Sequence, residues 1–210
     1  NDKSSDKDRK KIINLLKKLS SGGIMSEAGT PLISDPGFKL INDLINLKIK
    51  IIPLPGATSV ISSLVASGLP TDHFQFIGFF PRINKDAESL SESLLKFDGT
   101  TIIFESPKRI IGTLDFLDQK FGNLAEVCVA KEITKMHENF FRGTPKEIEQ
   151  FLLKNKDLIK GEFVILIKVT NKDESFILAD KMYHKLSSKL SLKDIAKVVS
   201  EITGINKNKI

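Results

Sequence analysis

The sequence has little that would hold the chain in a membrane, cross-link it or bind a metal. No uninterrupted apolar run approaches the roughly 20 residues that cross a bilayer, and the polar start over residues 1–11 has no signal-peptide core. The single cysteine, Cys128, has no disulfide partner. The three histidines lack the paired spacing of a metal site. We therefore expect a soluble, cytoplasmic protein without a metal cofactor.

The charge is distributed unevenly, with basic ends and a body that is not basic. Residues 1–20 carry seven Lys or Arg and three Asp, and residues 181–210 carry seven Lys and two acidic residues. The residues between them hold 18 basic and 21 acidic side chains. Basic termini fit a nucleic-acid partner, because phosphate contacts supply sequence-independent affinity. Lysine-rich helices are about as often only solvated surfaces, so both interpretations stay open.

Hydrophobic periodicity and chain-breaking residues predict alternating helices and strands. In the first half these are a helix over 8–19, a strand at 24–25, a helix over 38–47, a strand over 49–54 and a helix over 58–67. An aromatic stretch over 74–80 follows, then helices over 87–97, 107–121 and 145–154 and strands over 101–104, 126–130 and 162–170. This order predicts an α/β fold in which helices cover a parallel sheet. We expect an N-terminal α/β lobe over 1–80, a C-terminal α/β lobe over 81–172, and a linker with a basic helical tail over 173–210.

The tail carries its own helix signals. Ser191 and Asp194 have the spacing of a capping box, and an apolar face follows at Leu192, Ile195, Ala196 and Val199. Gly204 would stop this helix and Asn206 would cap another. The pattern predicts a helix-turn-helix-like fragment with Lys189, Lys193 and Lys197 along an exposed face. A small helical cap packed on the second lobe is the alternative.

Two loops rich in glycine and proline follow two successive predicted strands. The first runs from Ser26 to Gly37 and the second from Pro53 to Ser59. Glycine and proline give such loops fixed, irregular paths, and in open α/β sheets ligands bind at the edge where the strands end. Composition alone supports only a functional loop at each place.

Residues 26–37 read S-E-A-G-T-P-L-I-S-D-P-G. This run resembles the signature S-D-A-G-T-P-L-I-S-D-P-G of the ribosomal RNA small subunit methyltransferase I family, with Glu27 in place of the usual Asp. Further segments match in order: 53–56 (PLPG), 66–70 (ASGLP), 78–81 (GFFP), 104–109 (FESPKR), 131–135 (KEITK) with Glu138, and 161–162 (GE). The basic tail is similar to the family's C-terminal helical appendage, so the resemblance covers about residues 21–210.

The resemblance implies a two-lobed, tetrapyrrole methylase-like fold, each lobe a mixed or parallel sheet flanked by helices, in a homodimer. It also implies S-adenosylmethionine in the cleft between the lobes and 2′-O-methylation of a cytidine in the decoding region of 16S ribosomal RNA, in the 30S subunit. Members of this branch begin with a strand, a T-P-I-G-N-L loop and an E-D-T-R segment, none of which is in this sequence. We therefore expect an incomplete first lobe with an exposed apolar edge.

The resemblance further implies that main-chain groups of the two loops bind the cofactor, with three positions of the second lobe completing the pocket. The residues are Ser26, Glu27, Ala28, Gly29, Thr30, Pro31, Leu32, Ile33, Pro55, Gly56, Thr58 and Ser59, with Phe104, Ala130 and Gly161. Ordinary turn chemistry is the alternative for these glycines and prolines.

The methyl group of S-adenosylmethionine is already activated, so the protein mainly has to orient a nucleophile and exclude water. A ribose hydroxyl is a poor nucleophile at neutral pH, and a general base would help. The candidates near strand ends are Glu105, Lys131, Glu132 and Lys135, although surface pairing is the alternative for the last three. Cations near a cleft attract RNA phosphates. The candidates for such contacts are Arg82, Lys108 and Arg109, with Lys193 and Lys197 in the tail.

The 14 phenylalanines lie mainly in apolar segments, so we expect core residues rather than base-stacking platforms. Two other functions stay open. One is a methylase of the same superfamily that acts on a precorrin-like tetrapyrrole, and the other is a non-catalytic RNA-binding remnant. Binding of S-adenosylmethionine would separate the remnant from either enzyme.

Overall fold

The computed structural model describes residues 6–19, 21–27, 29–170, 182–187, 190–203 and 207. The helices are α1 (Asp6–Leu16), α2 (Phe38–Asn46), α3 (Ser59–Ser67), α4 (Asn84–Lys96), α5 (Ile110–Phe121), α6 (Pro145–Lys154) and α7 (Leu192–Thr203). The strands are β1 (Phe74–Phe79), β2 (Thr100–Glu105), β3 (Ala125–Lys131), β4 (Asn139–Gly143) and β5 (Phe163–Val169). Within these ranges, no helix combines the length and the apolar character that crossing a membrane requires.

The five strands form one mixed sheet in the order β1-β2-β5-β3-β4. β1 and β2 are parallel, whereas β5 is antiparallel to both β2 and β3, and β4 is antiparallel to β3. The carboxyl ends of β1, β2 and β3 therefore lie at one edge, together with the amino ends of β4 and β5. β1 shares this sheet with β2, so the sheet extends across the lobe boundary predicted at residue 80.

The three central strands of the sheet, β2, β5 and β3, are buried on both faces. On one face, strand residues such as Val127, Val129 and Ile165 pack against Leu114 of α5 and Leu152 of α6. On the other face, a second set of buried side chains packs against α3; it consists of Val60, Leu64, Ile102, Cys128, Ala130, Val164 and Leu166. Successive residues of a strand point to opposite faces, and full burial of a Val, Leu, Ile or Phe side chain stabilises the fold by about 1.5–3 kcal/mol. The alternation thus assigns every strand side chain to the α5/α6 face or to the α3 face.

Local signals in the sequence explain where two helices begin or end. α6 begins at Pro145 after a capping box, in which Thr144 and Glu147 satisfy each other's backbone N–H groups. α3 ends at Gly68, whose φ of 84° is left-handed. Arg142 of β4 donates hydrogen bonds to the carbonyls of Ser67 and Ala66 at the same helix end. These bonds attach the end of α3 to the edge of the sheet.

The strands predicted at 24–25 and 49–54 are wrong, since residues 21–26 and 49–58 form no strand. A strand needs a neighbouring backbone to complete its ladder of hydrogen bonds, and no described segment supplies one there. Apolar side chains along both segments are exposed, Met25 at 92% and Leu54 at 86%. The sheet of this chain is therefore the mixed one, and a parallel sheet in the first lobe is absent from the described residues.

Two further details of the structure differ from the sequence prediction. The helix predicted over 8–19 ends at Leu16 and buries Ile13, whereas Ile12, Leu15 and Leu19 of the predicted face are exposed. The reason is that Arg9, on the side of Ile13, binds Asp43 of α2 at 3.1 Å. β4 was not predicted, because Asn139 and Arg142 interrupt its short apolar stretch.

One half of the predicted capping box of the tail is present, namely the side-chain cap that Ser191 provides. The backbone N–H of Asp194 donates to Ser191 Oγ at 3.3 Å, and Ser191 Oγ donates to Asp194 Oδ2 at 2.6 Å. The buried side chains of α7 are Ile195 and Val199, which pack against side chains of residues 182–186, whereas Leu192 of the predicted face is exposed. Lys189, Gly204, Asn206 and residues 173–181, where the predicted linker begins, lie outside the described residues.

Candidate active site

A cavity of about 290 Å³ lies where β2 ends and β5 begins. This volume is close to the lower end of the roughly 300–1,000 Å³ that small-molecule sites span. Its lining consists of Gly29, Thr30, Ile33, Ser34, Asp35, Ala57, Thr58, Ser59, Ser62, Phe79, Phe104, Glu105, Ile133, Thr134, Lys135, Glu162, Phe163 and Val164. The loops before α2 and α3 thus form one wall, and the edge of the sheet forms the other.

One hydrogen bond joins the two glycine- and proline-rich loops, and another holds the path of the first loop. Thr30 Oγ1 donates to the carbonyl of Ala57 at 3.0 Å, which links the first loop to the second. Ser26 Oγ donates to the carbonyl of Gly29 at 2.9 Å. Gly29 has a φ of 70°, and a Cβ at this position would meet no heavy atom within 4 Å. The protein therefore leaves open space beside this glycine in the cavity wall.

The loop wall also presents backbone donors and a strained backbone. α3 begins at Ser59 and has no side-chain cap, so N–H groups of its first turn are available to a ligand. Leu32 and Ser34 adopt left-handed φ values of 72° and 59°. Each such residue costs on the order of 1–3 kcal/mol, and this kind of strain is concentrated at ligand sites.

The opposite wall is held by an ion-pair network. Lys135 Nζ donates to Glu132 Oε1 and to Glu162 Oε2, each at 2.9 Å, and the backbone N–H of Glu162 donates to Glu132 Oε1 at 2.8 Å. The bond from Lys135, followed by that from the Glu162 N–H, lowers the pKa of Glu132. The same bond to Glu132, followed by the one to Glu162, raises the pKa of Lys135. The network attaches the loop after β3 to the start of β5.

Gly161 is required beside this network. Its φ is 85°, and a Cβ at this position would overlap the carboxyl group of Glu132. Glu132 itself has a left-handed φ of 48°. Gly161 does not line the cavity itself, and its lack of a side chain leaves room for the Glu132 carboxyl group in the wall.

Glu105, predicted as a candidate general base, lines the cavity where β2 ends, but its carboxylate is held inside the fold. Its side chain is fully buried, with Oε1 accepting from the Ser106 N–H at 2.6 Å and Oε2 accepting from Thr113 Oγ1 at 2.8 Å. Oε2 also lies 3.3 Å from Arg109 Nη2. Both oxygens are therefore occupied, and the carboxylate anchors the start of α5.

The other three predicted bases differ in their position and in their charge. Lys131 is buried and is not among the residues that line the cavity, and strand alternation places it on the same face as Val127 and Val129. Glu132 is occupied by Lys135 and by a backbone N–H, and it does not line the cavity. Lys135 does line it, but its raised pKa keeps it protonated and unable to accept a proton.

The structure places some of the predicted cofactor residues in the cavity and others outside it. Those that line it are Gly29, Thr30, Ile33, Thr58, Ser59 and Phe104. Those that do not are Ser26, Glu27, Pro31, Leu32, Pro55, Gly56, Ala130 and Gly161. Pro55 and Gly56 are exposed, and Ala130 is buried under α3. Ala28 lies outside the described residues.

Sequence reasoning missed several lining residues, of which Asp35 and Phe79 matter most. Asp35 is half-buried and has neither a hydrogen-bond nor an ion-pair partner among the described residues. Its place in the first loop was a signal that could have found it. Phe79 could not be found, because its position in the cavity depends on an irregularity of β1.

The predicted phosphate contacts fall into two groups. Arg82, Lys108, Lys193 and Lys197 are exposed and have no ion-pair partner within the described ranges. Arg109 differs, because its Nη2 donates to the carbonyls of Phe80 at 2.7 Å and Pro81 at 2.8 Å and also pairs with Glu105. The guanidinium group of Arg109 thus stabilises the end of β1.

Comparison with known proteins gives both sequence and structural relatives. The family model described as Tetrapyrrole (Corrin/Porphyrin) Methylases matches residues 2–149. The Ribosomal RNA small subunit methyltransferase I of Haemophilus influenzae is 36% identical over 201 residues, which cover 94% of this chain and 71% of that protein. The protein of the same name from Rickettsia prowazekii is 39% identical over 218 residues, covering 95% of this chain and 77% of that protein.

Among solved structures, a Uroporphyrin-III C-methyl transferase from Thermus thermophilus, complexed with S-adenyl homocysteine, is similar with a TM-score of 0.51. The identity is 13%, and the similarity covers 79% of this chain and 74% of that one. This similarity concerns the fold alone, and it confirms the expected α/β fold class.

Proposed function

The chain belongs to the tetrapyrrole methylase family and, within it, to the ribosomal RNA small subunit methyltransferases I, and on this basis we propose that it transfers a methyl group from S-adenosylmethionine to RNA. The acceptor that we propose is the ribose 2′-hydroxyl of a cytidine in the decoding region of 16S ribosomal RNA. The observation that carries the proposal is that the two loops with the family signature meet in a single cavity.

The residues of this cavity fit S-adenosylmethionine, which has a flat base, a ribose, a carboxylate and two cationic groups. Ile33, Phe104 and Ile133 supply apolar surface for the base. The uncapped start of α3 supplies N–H donors that suit the carboxylate. The carboxylate of Glu162 suits the ammonium group. When bound, the cofactor supplies an activated methyl carbon.

The residues of this chain then have to position a hydroxyl group, exclude water and accept a proton. We propose that Asp35 accepts the proton of the ribose hydroxyl, because the other lining carboxylates are engaged. Glu105 has both oxygens occupied, and Glu162 pairs with Lys135. The walls formed by the two loops and by the 133–135 segment limit access of water to the hydroxyl group.

Replacement of Asp35 tests its role as the base. We expect Asp35→Asn to lower kcat by about 10²–10⁴, the usual contribution of a general base, while affinity for S-adenosylhomocysteine changes little. The matched control is Asp72→Asn, which alters an exposed carboxylate outside the cavity. Full turnover by Asp35→Asn would exclude Asp35 as the base.

Two measurements test the function as a whole. Calorimetric titration with S-adenosylhomocysteine should show saturable binding, whereas a non-catalytic RNA-binding remnant would bind none. Small ribosomal subunits that lack the modification should then accept a labelled methyl group, and the modified linkage should resist alkaline hydrolysis because its 2′-oxygen is blocked. Transfer to a precorrin-like tetrapyrrole, but not to the subunits, would favour the alternative enzyme.

Exposed cations and apolar side chains support two further parts of the proposal. We propose that Arg82, Lys108, Lys193 and Lys197 contact RNA phosphates. We also propose the homodimer that the family resemblance implies, for which the exposed apolar side chains Ile61 and Val65 on α3 provide surface. Sedimentation velocity would show a monomer if the dimer is wrong.

A further inference from the structure

An irregularity in β1 changes the face to which its last residues point. Phe76 pairs with Ile102 of β2, but the next pair is Phe79 with Phe104. Three steps along β1 are thus matched by two steps along β2, which is the mark of a β-bulge. Gly78 lies within the bulge and has a left-handed φ of 77°, a conformation that glycine adopts without a steric penalty.

The bulge moves Phe79 from one face of the sheet to the other. Regular alternation would place Phe79 with Ile77, which packs on the α5/α6 face. Instead, Phe79 shares the α3 face with Phe76 and Phe104 and lines the cavity. Phe80, the next residue, packs in the α5/α6 core instead of Phe79. Bulges beside active sites commonly reorient a side chain in this way.

The ring of Phe79 is supported on one side and open elsewhere. Its centroid lies 5.7 Å from that of Phe104, with an interplanar angle of 71°, and Phe76 packs on the same Phe104 ring at 4.7 Å. Phe79 nevertheless remains 55% exposed, whereas Phe163, the third aromatic residue of the lining, is 1% exposed. An open apolar ring in the wall of a cavity suits a flat ligand.

We propose that Phe79 is the platform on which the target nucleobase of the RNA stacks while its ribose is presented to the cavity. The inference rests on the proposed function and deepens it. Unpaired RNA bases are commonly held by stacking on aromatic side chains. Two exposed cations suited to phosphates follow the same strand ends, Arg82 after β1 and Lys108 after β2. The adenine of the cofactor has the same flat chemistry, so the experiments below separate the two bases.

A fluorescence experiment tests the stacking directly. The sequence has no tryptophan, so Phe79→Trp introduces a single indole whose emission is quenched when a base stacks on it. A single-stranded oligonucleotide with the decoding-region sequence should quench this emission saturably, and S-adenosylhomocysteine alone should not. Phe74→Trp, at the 42% exposed first residue of the same strand, serves as the control and should respond to neither.

Unchanged emission with the oligonucleotide would overturn the proposal, and so would quenching by S-adenosylhomocysteine alone. The fluorescence measurement requires no methyl transfer. Its result can therefore be compared with RNA binding and RNA methylation by the unmodified protein. If that protein methylates small subunits and Phe79→Trp emission stays constant, only the stacking proposal fails. If the unmodified protein neither binds nor methylates RNA, the proposed function fails and the stacking proposal fails with it.

Steady-state kinetics provide a second, independent test. Loss of one base stack should raise the KM for the small subunit about 5- to 100-fold in Phe79→Leu, with little change in the KM for S-adenosylmethionine. Phe79→Tyr, which keeps the ring, should restore the KM, and Phe74→Leu should leave it unchanged. A raised KM for S-adenosylmethionine alone would assign the ring to the cofactor and overturn the proposal.

Discussion

At the scale of single residues, Gly161 shows how one missing side chain shapes the cavity wall. A Cβ at this position would overlap the carboxyl group of Glu132, which accepts hydrogen bonds from Lys135 and from the Glu162 N–H. Any side chain at residue 161 must therefore displace Glu132. Displacement would loosen the segment that contributes Thr134 and Lys135 to the cavity.

We expect Gly161→Ala to lower the free energy of unfolding by about 1–3 kcal/mol, because alanine is strained at this φ and also collides with Glu132. The matched control is Gly112→Ala in α5, where a Cβ meets nothing within 4 Å. Alanine in a helix is favoured over glycine, so the control should gain about 0.5–1 kcal/mol. Urea unfolding of both variants checks the prediction, and a gain in stability for Gly161→Ala would contradict it.

Single residues also show why the sequence identified the two loops but not which of their side chains face the cavity. Glycine and proline in residues 26–37 and 53–59 predicted irregular loops near a ligand, and both loops do reach the cavity. A carboxylate at a strand end looks the same in sequence whether it faces a cavity or the core. Only pairing and packing reveal that Glu105 is buried against Thr113 whereas Asp35 is open.

At the scale of elements, the bonds between Glu132, Lys135 and Glu162 couple the loop after β3 to β5, and this coupling depends on pH. The folded pKa of Glu132 is lowered, so its stabilisation is present above the unfolded pKa of about 4.3 and is lost as pH falls through the folded value. The folded pKa of Lys135 is raised, so its part is present below about pH 10.4 and is lost as pH rises through the folded value.

We therefore expect the difference in Tm between the unmodified protein and Glu132→Gln to be constant through neutral pH and to shrink in acid. The difference should be small, because Lys135 is partly exposed and solvent screens its charge. Thermal unfolding at a series of pH values measures it, with Glu138→Gln, in the same loop but outside the ion pairs, as the control. A difference that persists undiminished in strong acid would show that the ion pair contributes nothing.

Elements differed in how well the sequence predicted them, and the reason lies in their partners. β2, β3 and β5 are buried on both faces and read as continuous apolar runs, so their bounds were predicted to within one or two residues. The apolar run at 49–54 looked similar, yet it forms no strand because no described segment pairs with it. The bulge of β1 likewise depends on its pairing with β2. Its only signal in the sequence is Gly78.

At the scale of the whole molecule, the two walls of the cavity differ in how they are supported. The sheet wall belongs to a core whose three central strands, β2, β5 and β3, are almost fully buried. The loop wall lies between exposed segments and is anchored mainly by α3, by the bond from Thr30 to Ala57 and by the pair of Arg9 and Asp43. Segments with few buried contacts open at low free-energy cost, so a ligand in the cavity should stabilise the loop wall more than the sheet wall.

The distribution of cations over the molecule leads to a prediction about RNA binding. Arg82 and Lys108 are exposed without ion-pair partners among the described residues, whereas the guanidinium group of Arg109 is committed to two carbonyls and to the buried Glu105. A cation that contacts a phosphate displaces a counterion into solution. Its removal makes the negative slope of log Kobs against log salt concentration shallower by about 0.7–0.9. Arg82→Ala and Lys108→Ala should each make the slope shallower by this amount without changing stability.

Arg109→Ala should do the opposite, because it removes hydrogen bonds inside the fold and leaves Glu105 without its cation. We expect its free energy of unfolding to fall by roughly 1–3 kcal/mol, with the salt slope unchanged at temperatures where the variant is folded. Filter binding to small subunits over a range of salt concentrations, together with urea unfolding, separates the two classes. A reduced salt slope for Arg109→Ala with full stability would return this residue to the RNA-binding surface, and an unchanged slope for both Arg82→Ala and Lys108→Ala would move the phosphate path away from the ends of β1 and β2.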